Sequence, residues 1–90
     1  MDGRALDYDP MVYDVLRETA TQLRGRYLHW SYTAADPDER ERWRLEALNV
    51  RREVDAVDVY DEAAVRAKTT ELADRLRALP PAEPPAQPER

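Results

Sequence analysis

Residues 10–30 read PMVYDVLRETATQLRGRYLHW. Tyr13, Leu16, Ala20, Leu23, Tyr27 and Trp30 recur at alternating intervals of three and four, which places them on one face of an α-helix. Val12 and Thr19 widen that stripe. Gly25 falls on the opposite face, where it weakens a helix by about 1 kcal/mol relative to alanine and is a place for a kink. Ahead of the stretch stands Asp9-Pro10, an N-cap aspartate followed by proline at a position where the missing N–H costs nothing.

The same grammar repeats downstream. Asp36-Pro37-Asp38-Glu39 combines a cap, a helix-initiating proline, and Glu39 at the capping-box position, with its acids at the positive end of the helix dipole. A second stripe follows in Trp43, Ala47, Val50, Val54 and Val57. A third start lies near Asp58 or Asp61, supported by Glu62. Its stripe is Val65, Thr69, Leu72, Leu76 and Leu79, with Arg75 and Arg77 in the last turns, where positive charge suits the dipole. Pro80-Pro81 forbids continuation. The spacing therefore predicts helices over about 10–30, 37–57 and 61–79. Short links at 31–36 and 58–60 force antiparallel neighbours, so the expected fold is all-α, an antiparallel three-helix bundle.

Outside residues 9–79 the composition changes. Residues 1–8 lack periodicity and read as a flexible arm, with Leu6 and Tyr8 able to dock on the bundle. Residues 80–90 hold five prolines in eleven positions and no aliphatic larger than alanine, so they read as a disordered Pro-rich tail.

Composition narrows the chemistry. The 90 residues carry 19 acids, 14 bases and no cysteine, for a net charge of −5. Acidity argues against general nucleic-acid binding, and the lack of thiols removes disulfides and thiolate metal sites. No apolar run is long enough to span a bilayer and no signal segment is visible, so cytoplasmic residence is expected. Gly3 and Gly25 are the only glycines, which excludes a Gly-rich phosphate loop. His29 is the only histidine. It cannot build a two-histidine metal motif, and beside Ser31 it has neither an orienting acid nor an oxyanion hole. The carboxylates are interleaved with arginines at helical spacings, as in Asp38/Arg42 and Glu71/Arg75, which reads as a solvated face with weak pairs. The expectation is a chain with no catalytic residues, no metal and no cofactor.

Two surfaces remain as candidate binding sites. One is a polar strip on the first helix and its approach: Tyr8, Met11, Asp14, Glu18 and Thr21. The other lies on the second helix, where Leu45 and Leu48 form an apolar patch away from the core stripe, flanked by Arg44 and Arg52. That patch implies a second neighbour, either another protein or a second copy of the chain. Arg40, Arg42, Arg44, Arg51 and Arg52 also form an arginine-rich run that could grip an acidic partner or serve a nucleic-acid accessory role. The aromatics near the end of the first helix, Tyr27 and Trp30, belong to the core stripe and seal one end of the bundle.

In size, charge and helix order, residues 9–79 are similar to the epsilon-type antitoxins that neutralise zeta-type kinase toxins. Those are small acidic three-helix bundles whose first helix covers the toxin's nucleotide-binding cleft. The residues here that would carry the likeness are Tyr8, Met11, Asp14, Glu18 and Thr21; the proline tail departs from the pattern. The resemblance implies a protein partner of the P-loop kinase type. It implies that Asp14 and Glu18 face phosphate-binding cations and that Tyr8 and Met11 anchor the helix in an apolar hollow.

Overall fold

A computed structural model describes residues 7–80. The expected arm and tail therefore lie largely outside the described residues. Three helices follow one another: α1 (Pro10–Thr33), α2 (Pro37–Asp55) and α3 (Glu62–Ala78). All three predicted helices form, and no strand occurs among the described residues. The boundaries differ modestly. α1 runs to Thr33 rather than Trp30, and α2 stops at Asp55 rather than Val57.

Each start is made by an aspartate. The Asp9 carboxylate accepts from the Met11 N–H at 3.0 Å, Asp36 from Glu39 at 3.3 Å and Asp61 from Ala64 at 3.1 Å. Each satisfies a backbone donor that the first helical turn leaves without a partner. The side chain of Glu39 is drawn along the helix instead of back toward the cap: its carboxylate lies 3.5 Å from Trp43 Nε1 and 3.8 Å from Arg42. Gly25 does not interrupt α1, which continues through it for eight more residues.

The link after α1 is held by Arg40. Its guanidinium donates to the carbonyls of Ala34 and Ala35, and the Ser31 hydroxyl donates to the Arg40 carbonyl at 2.8 Å. The link after α2 is closed by Asp58, which accepts from the Tyr60 N–H at 3.0 Å.

The chain runs up, down and up. Tyr27 late in α1 stacks on Trp43 of α2 with centroids 5.7 Å apart, and Arg26 of α1 donates to the Pro80 carbonyl beyond α3. α1 is the helix against which both others lie most extensively. Its Leu16, Ala20, Leu23 and Tyr27 meet Ala47 and Val50 of α2 and Val65 and Leu72 of α3 in one core. Leu16, Leu23, Val50, Val65 and Leu72 are wholly enclosed, each contributing about 1.5–3 kcal/mol by leaving water.

Between α2 and α3 a polar cluster flanks the shared core. Glu53 Oε1 accepts from Arg75 at 2.7 Å and from Lys68 at 3.3 Å, and Glu71 adds a 2.8 Å pair to Lys68 and a 3.6 Å pair to Arg75. The hydrogen bond to Glu71 leads in holding the Lys68 ammonium above its ordinary pKa, and the same bond holds Glu71 below the usual carboxylate range. Burial works against the charge on Arg75, and hydrogen bonding to Glu53 and Tyr27 overcomes it, leaving the guanidinium above its ordinary value.

One member of the expected core stripe stands apart. Trp30 is half-buried and outside the core cluster, its ring in edge contact with His29 at 5.3 Å. Its indole N–H is enclosed without an acceptor. The turn in which it sits lies past Tyr27, where the core of the described residues has already ended.

Candidate functional site

The 3.6-residue period of α1 sends Leu16, Ala20, Leu23 and Tyr27 inward and leaves Met11, Asp14, Glu18 and Thr21 on the outer side. All four are exposed, and Asp14, Glu18 and Thr21 border a shallow depression together with Arg17. Glu18 accepts from Gln22 at 3.3 Å, and among the described residues Asp14 makes no ion pair. Tyr8 is not on this strip. It packs half-buried against the core, and its hydroxyl donates to the Val59 carbonyl, tying the approach of α1 to the α2–α3 link. Burial, with the nearby Glu62 carboxylate next, pushes its phenol above the ordinary value.

A different residue accompanies Met11. Val15, one turn on, is 48% exposed beside Met11 at 59%, and the two border a groove of about 270 Å³ between α1 and α3. Val12, Thr69 and Thr70 also line it, as does Arg66, which is paired to Glu62 at 2.8 Å. Val15 is legible in hindsight as a large apolar side chain that falls outside the three-four stripe. Leu28 and Tyr32, also on α1, are exposed as well.

The second predicted patch is only partly assembled. Leu45 is 43% exposed and Leu48 half-buried on the outer flank of α2, with Arg52 exposed nearby. Arg44 is bound in a two-pronged pair with Glu41 at 2.7 and 3.0 Å. That hydrogen bond holds Glu41 below the usual carboxylate range. The wider arginine run is also largely engaged. Arg40 braces the preceding link, and Arg42 lies over the Trp43 ring at 5.2 Å, its carboxylate neighbour being Glu39 rather than Asp38.

A third feature went unmarked in the sequence. Along the seam between α1 and α2, Arg17, Thr21 and Arg24 from one helix and Arg51 and Asp55 from the other line a cleft of about 240 Å³, with Tyr13 also at its surface. The Arg24 Nε–H is buried there with no acceptor, a state that costs about 1–3 kcal/mol in a closed protein. Spacing along one helix could not reveal the cleft, because its cations come from two helices brought together by packing.

The described residues hold no group of three or more potential metal ligands. None of their helices is long and apolar enough to cross a membrane. The Ser31 hydroxyl is turned to the Arg40 carbonyl and the His29 ring to Trp30. In comparison with known proteins, no family model matches the chain, and no curated protein and no solved structure matches it significantly.

Proposed function

We propose that this chain is a non-catalytic protein-binding module that docks through α1, most concretely an antitoxin that occludes the nucleotide site of a kinase-type toxin. The observation that carries the reading is the distribution of exposed apolar side chains. Of the five large ones exposed among the described residues, Met11, Val15, Leu28 and Tyr32 belong to α1 and only Leu45 to α2. A helix that already supplies half of the core residues has apolar side chains to spare. Met11 and Val15 flank a groove also lined by Arg66 of the Arg66–Glu62 pair, and Asp14 and Glu18 lie alongside on α1, so an apolar anchor has a charged border. That is the pattern of an interface centre with a charged border. Val15, rather than Tyr8, serves as the second anchor beside Met11.

The test is co-expression with the product of the adjacent reading frame, followed by measurement of complex mass and of the partner's nucleotide binding. The expected result is an equimolar complex in which the partner no longer binds nucleotide, and in which Met11→Ala with Val15→Ala restores that binding. A partner that binds nucleotide equally well with and without the chain removes the antitoxin reading.

Self-association is the second reading, favoured by the exposure of Leu45. Equilibrium sedimentation separates the two: a tight homodimer dispersed by Leu45→Glu supports self-association, and a monomer removes it. The nucleic-acid reading is weakened because Arg40, Arg42 and Arg44 already bond within the chain.

A further inference from the structure

Arginine is distributed unevenly in its engagements. Among the described residues, Arg42, Arg44, Arg66, Arg75 and Arg77 are ion-paired, while Arg26 and Arg40 donate to backbone carbonyls. Arg17, Arg24, Arg51 and Arg52 make neither kind of bond. In a chain with 19 acids, unpaired cations are the exception, and three of these four converge on the one cleft along the α1–α2 seam.

The placement follows from helix geometry. Arg17 and Arg24 are about two turns apart on α1 and so rise from the same side, with Thr21 between them. Arg51 closes the opposite wall from α2. The Arg24 Nε–H is itself enclosed without an acceptor, so it is the terminal guanidinium nitrogens of Arg24, which are not enclosed, that can meet a ligand in the cleft. Asp55 is the one carboxylate on the wall, and it makes no ion pair with any of the three arginines.

We infer that this cleft binds a phosphate-type oxyanion. Three guanidinium groups and a hydroxyl line it from two helices. A tetrahedral phosphate presents acceptor oxygens in several directions, whereas a planar carboxylate offers two oxygens in one plane and leaves part of this donor set unused. Arg17 and Arg24 start about 10 Å apart along the α1 axis, within reach of the two ends of a diphosphate for side chains of arginine length. This site is separate from the Met11–Val15 groove on the α3 side of α1, and it is read on the isolated chain without any protein partner.

The experiment is calorimetric titration of the full chain with inorganic pyrophosphate, inorganic phosphate and acetate at constant ionic strength. Pyrophosphate is expected to bind saturably at one site per chain, with a Kd of about 1 mM or tighter. Arg51→Gln and Arg24→Gln each weaken it by about tenfold or more, a loss of one charge-assisted fork. Arg52→Gln, a neighbouring unpaired cation outside the cleft, leaves it unchanged, and Asp55→Asn tightens it. Arg51 is exposed, so its variant retains the helical circular dichroism that verifies folding even if the Arg24 variant does not. No saturation by about 10 mM, equal binding of acetate, or an equal loss in the Arg52 and Arg51 variants overturns the assignment.

Discussion

Glu53 and Arg75 meet at 2.7 Å across the α2–α3 seam, through a carboxylate oxygen that also accepts from Lys68. All three side chains are between one-fifth and one-third exposed, intermediate between a surface pair and a buried one. Glu53→Gln leaves two cations sharing a neutral partner, and a loss of about 1–2 kcal/mol is expected, between the ranges for exposed and fully buried pairs. Urea unfolding measures it. A double-mutant cycle with Arg75→Gln should return a coupling of the same sign, and additivity would show that the pair contributes nothing of its own.

The core and the outer face of α1 should separate cleanly on mutation. Leu23→Ala opens a cavity at a fully enclosed position and is expected to cost about 2–5 kcal/mol. Met11→Ala, at an exposed site, should stay within about 0.5 kcal/mol of the parent while weakening the proposed protein complex. Thermal unfolding reads the first effect and complex formation the second. A destabilisation by Met11→Ala as large as that of Leu23→Ala would place the side chain in the core.

Gly25→Ala should stabilise the protein. The residue lies within a continuous helix, and an added Cβ meets nothing within 4 Å. Removing the flexibility of glycine from the unfolded chain and improving helix propensity together give about 0.5–1 kcal/mol. A decrease in stability on urea unfolding would mean that, in the folded chain, a neighbour lies closer to Gly25 than the open space found here.

Stability should fall at both ends of the pH scale. Glu71 is held low in the folded state by its hydrogen bond from Lys68, so its contribution is present above the unfolded value of about 4.3 and is lost as pH falls through the lower folded value. Tyr8 and Lys68 are raised, the first by burial and the second by Glu71. Their contributions are complete below the unfolded values of about 10 and 10.4 and are lost as pH rises through the higher folded ones. Tyr8→Phe removes the donor to Val59 and should flatten part of the alkaline limb while lowering the urea midpoint. An unchanged alkaline limb in Tyr8→Phe would assign that limb to Lys68.

The helices were legible because each carries its own punctuation and period. Asp9-Pro10 and Asp36-Pro37 start two of them and cap as expected, and the stripes of Leu16, Leu23, Val50 and Leu72 point inward as their spacing requires. What could not be read was decided between helices. Tyr8 reads both as a residue docked on the bundle and as a surface anchor, and its hydroxyl on the Val59 carbonyl, 51 residues away, favours the docked reading. Trp30 continues the stripe in sequence, yet it lies beyond the turn where the core ends. The pairing of Arg42 with Glu39 instead of Asp38 is a choice between neighbours that periodicity treats as equivalent. The arginine cleft needs two helices at once.

Because α1 is the common support for both other helices, the order of the chain is also a sensible order of assembly. α2 joins α1 through neighbours close in sequence, whereas α3 reaches it only through pairs some fifty residues apart, such as Arg26 with Pro80. The consequence is an unequal tolerance of truncation: loss of α3 leaves α1 its larger interface with α2, whereas loss of α1 takes from both other helices their main partner.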